Sequence, residues 1–189
     1  MKRKKVLVIL GSPRRRGNSA ALASRVAAGA RASGADVETF FLHAMDIRPC
    51  TACDACRGDI ERDCIMDDDM RLLYPRLRRA HAWVIASPIY WFTVSAQTKL
   101  FMDRWYALGG PGGYHLKGKR MGIVLTYEDV DPFLSGAVNA LRTLQDAFRH
   151  VHAHYVGAVY GSAAKPGEIR TNRALMRDAF RLGRALVET

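Results

Sequence analysis

Val6-Leu7-Val8-Ile9-Leu10-Gly11-Ser12-Pro13-Arg14-Arg15-Arg16-Gly17-Asn18-Ser19 passes from an unbroken apolar run straight into a polar turn bounded by glycines. A short apolar run ending at glycine reads as a strand buried on both faces, the pattern that parallel sheets impose. Beyond Ser19 the period changes. Leu22, Ala23, Val26, Ala27 and Ala30 share one face at helical spacing, which predicts a helix over 19–33, ended by Gly34. Strand, turn and helix together open a parallel α/β unit, and the same alternation recurs downstream. Apolar runs predict further strands at 37–42, 83–86, 121–126 and 153–159. Helices are expected at 68–80, 95–108, 131–149 and 171–187, with Pro75 kinking or restarting the first of these. Gly109-Gly110-Pro111-Gly112-Gly113 reads as a flexible loop.

Five apolar strands alternating with helices imply an α/β fold with a parallel sheet, right-handed crossovers and helices on both faces. Ligands in such sheets bind beyond the carboxyl ends of the strands where strand order reverses, so the loops after the first and third strands are decisive. With 189 residues, 49% hydrophobic and 25% charged, one domain spanning 1–189 is expected. No apolar run approaches the roughly 20 residues of a membrane helix. The basic stretch 2–5 before the apolar run is not read as a signal peptide, because the run is short and no small-residue cleavage site follows. A cytoplasmic, reducing setting is therefore expected for the four cysteines. Net charge of +11 suits anionic ligands or acidic partners. The basic residues lie scattered over 2–5, 14–16, 71–79 and the last helix without interleaved aromatics, which argues against nucleic acid.

In the first loop, small and hydroxyl-bearing residues before a helix start leave backbone N–H groups free to face an anion. Ser12, Asn18 and Ser19 add hydrogen bonds, and Arg14 or Arg16 adds charge. Neither Gly-Lys-Ser/Thr nor Gly-x-Gly-x-x-Gly occurs there, so a monophosphate fits better than a nucleotide triphosphate or a dinucleotide. The alternative is a helix merely capped by Asn18 or Ser19. The loop after the third strand reads Ser87-Pro88-Ile89-Tyr90-Trp91-Phe92-Thr93-Val94-Ser95-Ala96-Gln97. Its three consecutive aromatics mark a surface for a flat ligand, unless they fill the local core or a subunit interface.

Gly11-Ser12-Pro13-Arg14 with Gly17-Asn18-Ser19, and Ser87-Pro88-Ile89-Tyr90 followed by Lys99-Leu100-Phe101-Met102-Asp103-Arg104, together resemble the flavodoxin-like, NAD(P)H-dependent FMN reductase family. The resemblance implies a flavodoxin-like three-layer sandwich of strand order 2-1-3-4-5, with FMN bound and a reduced nicotinamide as electron donor. By position, Ser12, Arg14, Asn18 and Ser19 inherit the phosphate, and the backbone of Pro88, Ile89, Tyr90, Trp91 and Phe92 lines the isoalloxazine ring. Thr126-Tyr127-Glu128 gives a third contact. A homodimer or higher homo-oligomer is also implied, with Lys99, Asp103, Arg104, Phe101 and Trp105 near its interface.

Every cysteine falls in one short segment, at Cys50, Cys53, Cys56 and Cys64. Thiols spaced by two residues can fold round a cubane cluster, and the arrangement resembles the iron–sulfur flavoprotein branch of the same family. A [4Fe–4S] cluster, a zinc ion and unliganded thiols stand as the three readings. Asp67-Asp68-Asp69 reads as a helix cap, and His150, His152 and His154 as surface residues at a helix-to-strand junction.

Hydride passing from nicotinamide to a flavin needs no side-chain acid or base, so no catalytic residue is assigned. The expected activity is electron transfer to a small acceptor such as a quinone, or to a redox partner. A non-enzymatic electron carrier or redox sensor is the rival. A basic interaction module without cofactor would have to explain both loops away.

Overall fold

The strands form where the apolar runs place them, and the sheet follows the expected order. β1 (Lys5–Leu10), β2 (Asp36–Phe41), β3 (Ala82–Tyr90), β4 (Arg120–Tyr127) and β5 (His154–Ser162) pair in parallel in the order β2-β1-β3-β4-β5. The computed structural model describes residues 3–188, so Lys2 of the basic run lies outside the described residues. Strand order reverses between β1 and β3, which puts the ligand crevice at the carboxyl ends of these two strands.

Alternate strand residues feed two cores. Val6, Val8, Val84, Ala86 and Val124 pack under α1 (Asn18–Ala32) and α5 (Arg173–Ala185). Leu7, Ile9, Trp83, Ile85, Met121 and Ile123 pack against α2 (Met70–Arg79), α3 (Ala96–Asp103) and α4 (Ala137–His150). The result is a three-layer α/β sandwich. No helix among the described residues is long and apolar enough to cross a membrane.

Several boundaries depart from the sequence reading for local reasons. β3 runs on to Tyr90 because it turns back on itself: Ile89 and Tyr90 pair antiparallel with Val94 and Thr93. α4 starts at Ala137, since Asp131 Oδ1 accepts the N–H groups of Phe133 and Leu134 and Gly136 takes a left-handed φ of 77°. The glycine-rich 109–113 segment is a small hairpin, Gly109–Gly110 against Gly113–Tyr114. After α3 the chain continues as a 3-10 turn, Arg104–Leu108.

That turn takes Arg104 and Trp105, two of the five residues expected near a subunit interface, inside the protein. Arg104, Phe101 and Trp105 lie inside the protein, Arg104 at 1% exposure, with Trp105 stacked on Phe148 at 6.3 Å. Lys99 and Asp103 remain outside as an exposed i,i+4 ion pair of 2.6 Å. The helical pattern was right, but its apolar face packs on its own sheet.

Candidate functional site

The phosphate-type loop is built from an uncapped helix. Gly17 occupies the N-cap of α1 with extended backbone and no side chain to cap it. Among the described residues the N–H groups of Asn18, Ser19 and Ala20 have no acceptor, so the helix presents open donors and its positive dipole end. The alternative in which Asn18 or Ser19 serves as cap is thereby corrected.

Side chains around this opening are engaged in positioning it. Asn18 Nδ2 donates to the carbonyls of Ala163 and Lys165 (3.2 and 3.0 Å), and its Oδ1 accepts the Ile169 N–H at 3.3 Å. Its amide latches α1 to the segment after β5, leaving only its backbone N–H to face the cavity. The buried Ser19 and Thr126 hydroxyls bond each other at 2.7 Å, tying α1 to the end of β4. Ser12 Oγ accepts the Arg14 N–H at 3.1 Å. Arg14, Arg15 and Arg16 are exposed, with Arg15 held over the Phe41 ring.

A serine network that the sequence reading missed sets the distance between the two loops. Ser95 Oγ donates to the Gly11 carbonyl at 2.6 Å, and the Ser95 N–H donates to Ser87 Oγ at 3.0 Å. Ser95 also caps α3 by accepting the Thr98 N–H. A Cβ on Gly11 would lie 1.8 Å from Thr98 Oγ1, so only glycine lets β1 approach α3 this closely. Ser95 standing three residues before Thr98 was a readable capping signal; its reach to Gly11 was not.

The second loop is a two-residue hairpin with Trp91 (φ 47°) and Phe92 (φ 66°) at its tip. Such tips normally carry Asn-Gly, because both positions need positive φ. Aromatic residues there cost roughly 1–3 kcal/mol each, which the surroundings must offset. Asn139 Nδ2 donates to the Phe92 carbonyl at 3.3 Å, and Gly136 comes so near that a Cβ on it would sit 2.4 Å from the Phe92 Cα. Trp91 is 91% exposed. Within this chain the aromatic tip does not fill the core.

One cavity of about 150 Å³ is lined by Ser12, Arg14, Asn18, Ser19, Pro88, Ile89, Tyr90 and Thr126, with Gly17, Tyr127, Glu128, Ala163 and Ala164 completing it. Trp91 and Phe92 line an adjoining cavity of about 260 Å³ together with Ile89, Tyr127, Glu128, Asp129 and Ser135. The ten non-cysteine residues singled out from the sequence thus gather at one rim of the sheet. The rim offers open N–H donors and a guanidinium at one end and an apolar, aromatic shelf at the other. Such an arrangement has the chemistry to take a phosphate with a flat ring system attached.

The cysteines sit apart in a loop with a closed neck. The Asp69 N–H donates to the Asp46 carbonyl and the Asp46 N–H to the Asp69 carboxylate across it, the Arg48 N–H donates to Asp68, and Arg104 donates to both Asp68 and the Arg48 carbonyl. The three aspartates therefore fasten the loop, and only Asp68 also caps α2 through the Met70 N–H. Further out, Tyr106 donates to Asp54 at 3.0 Å and His115 Nε2 to the Ile60 carbonyl at 2.9 Å. Cys50 and Cys53 are exposed, Cys64 is half-buried and Cys56 is buried, all as free thiols. Burial, then the charges of Cys64, Cys50 and Cys53, raise the Cys56 thiol pKa, whereas the Ala55 N–H and the Thr51 hydroxyl lower that of Cys53. Four neighbouring sulfurs are a donor set that suits a soft metal or a cluster. Among the described residues, though, no three His, Cys, Asp or Glu side chains converge to hold a metal ion, the three histidines of the 150–154 region included.

Comparison with known proteins agrees with the geometry. An iron–sulfur flavoprotein of Archaeoglobus fulgidus is 29% identical over 192 residues, covering 97% of this chain and 79% of the relative. A putative NAD(P)H-dependent FMN-containing oxidoreductase of Bacillus subtilis, YwqN, is 27% identical over 182 residues, covering 94% of this chain and 96% of the relative. Among solved structures, an NAD(P)H:quinone oxidoreductase of Methanothermobacter marburgensis superposes with a TM-score of 0.77 at 18% identity, covering 100% of this chain and 98% of the other, which speaks for the fold alone. The family model described as NADPH-dependent FMN reductase matches residues 4–167, and the chain belongs to that family.

Proposed function

We propose that the protein, acting as one domain over 1–189, binds FMN and passes electrons from a reduced nicotinamide cofactor to a small acceptor such as a quinone. The observation that carries this reading is the convergence of the uncapped α1 N-terminus and the aromatic hairpin on one pair of adjoining cavities. Bound FMN supplies the hydride-accepting chemistry, so the chain's task is positioning and electrostatics. The N–H groups of Asn18, Ser19 and Ala20 with Ser12 and Arg14 hold the phosphate, while Thr126 fixes Ser19. The backbone of 88–92 forms the shelf along the ring. No side chain is required as acid or base. The activity draws on cytoplasmic reduced nicotinamide, in a compartment that keeps the four thiols reduced.

The test is steady-state oxidation of NADH and of NADPH by the flavin-loaded protein with a quinone present. Sustained turnover in excess of protein supports the enzyme. Reduction that stops at one equivalent of flavin supports the rival reading, an electron carrier or sensor.

A second reading is favoured by the cysteine loop. Four free thiols gathered within residues 50–64, on a chain similar to several proteins named iron–sulfur flavoproteins, support a [4Fe–4S] cluster at Cys50, Cys53, Cys56 and Cys64. Ala52 and Asp54 hold left-handed φ of 51° and 55° within the 50–56 segment. Anaerobic preparation followed by iron and sulfide analysis decides it, with about four of each per chain expected. Absence of both removes the cluster and leaves the flavin reading intact.

A further inference from the structure

We propose that Glu128 and Asp129 make the site select an electron acceptor that is planar and carries no negative charge. The inference rests on the reductase reading above and deepens it by naming the acceptor's chemistry. Its basis is an uneven distribution of charge along the two cavities. In the first cavity Arg14, beside the open end of α1, offsets Glu128, which lines both cavities. Among the described residues no Lys, Arg or His lines the second cavity, whose walls are Trp91, Phe92, Tyr127, Ile89, Ser135 and the carboxylates of Glu128 and Asp129.

Both carboxylates are exposed, and neither is paired with a basic side chain among the described residues. Asp131 adds to them: its charge, after burial and Tyr160, helps raise the Tyr127 phenol pKa. Two acids therefore line the aromatic cavity, and a third, Asp131, follows two residues on, in a chain whose net charge is +11. A flat acceptor that reaches a ring held along 88–92 enters this local negative field, which opposes the far field of the whole molecule. Like-charge juxtaposition at a binding surface acts mainly as rejection of the wrong ligand, and that is the role assigned to Glu128 and Asp129.

In the overall step a 1,4-quinone takes the two electrons of the nicotinamide hydride and two protons. One proton comes with the hydride and one from solvent, giving the oxidised nicotinamide and a hydroquinone. The probes are 1,4-naphthoquinone and its 2-sulfonate, which share a ring and differ in charge. Their ratio of kcat/KM is measured in the wild type, in D129N, which changes only the second cavity, and in E128Q. Comparing ratios between variants cancels the difference in driving force between the two quinones. The expected result is a rise of about tenfold in the relative kcat/KM of the sulfonate when both carboxylates are neutralised, with a smaller rise in each single variant.

Ionic strength provides a second reading. Salt should lower the sulfonate-to-neutral ratio less steeply in the wild type than in the variant with both carboxylates neutralised, because in the wild type it screens local repulsion along with the far-field attraction of the +11 chain. The same salt dependence in both proteins overturns the proposal. So does a sulfonate-to-neutral ratio that stays unchanged in folded D129N and E128Q. Turnover with an unchanged ratio defeats this inference alone, whereas absence of turnover with either quinone defeats the reductase reading as well.

Discussion

Asn18 shows how one residue can be found for one reason and kept for another. Its place beside the helix start made it a phosphate ligand by sequence, yet its side-chain amide donates twice and accepts once across to 163–169. Those partners lie about 145 residues away in the chain, where no local pattern reports them. Asn18→Asp keeps the shape and removes both donors, leaving two carbonyls without partners. It should cost about 1–3 kcal/mol in chemical denaturation, whereas a residue serving only a bound phosphate would show no loss in flavin-free protein. The place of Ser12, Arg14 and Ser19 at the rim was legible because the local strand, turn and helix put them there, although the hydroxyl partner of Ser19, Thr126, lies 107 residues on.

The strands were legible from their apolar runs, most sharply in β1, β3 and β4, where burial is two-sided. Boundaries moved where local turns and caps intervene, and side-chain roles were missed where distant partners do. Asp67-Asp68-Asp69 looked like a cap because the helix follows at once, but Asp68 meets Arg104, which is 36 residues on, and the pair is buried. Arg104 in turn looked like an exposed helix residue, since the 3-10 turn that swings it inward leaves no trace in a helical wheel. Burial works against ionised Asp68, yet bonds from Arg104 and from the Arg48 N–H hold its carboxyl below the ordinary value. The stabilisation is thus complete above the usual carboxylate pKa and is lost as pH falls through the lowered one. Arg104→Met leaves a buried charge without its partner, at about 3–5 kcal/mol. If the neck is a local unit, limited proteolysis of this variant should cut first within 49–67 while the sheet stays protected. Simultaneous cleavage throughout would show that the loop and sheet unfold as one.

At the scale of the molecule, the fold class followed from alternation of period, and the site followed from where strand order reverses. Of the five residues expected near a subunit contact, Phe101, Arg104 and Trp105 are interior and Lys99 and Asp103 are exposed, whereas Val130, Phe133 and Leu134 stand 87%, 77% and 63% exposed. Large apolar residues grouped on a surface mark an interaction site, and we propose this patch, not α3, as the contact of a homodimer. F133D/L134D should shift the species seen by sedimentation velocity from dimer to monomer. Lys99→Ala, on the exposed face of α3, should leave it a dimer.

The account's central claim is that open donors at α1 and the aromatic shelf hold one flavin. Titration of FMN into flavin-free protein, followed by quenching of flavin fluorescence, tests this most directly. Saturation at one FMN per chain with Kd at or below about 1 µM is predicted, together with a loss of roughly tenfold or more for riboflavin, which lacks the phosphate. A folded protein that leaves FMN fluorescence unchanged at about 100 µM, or binds riboflavin as well as FMN, would contradict it.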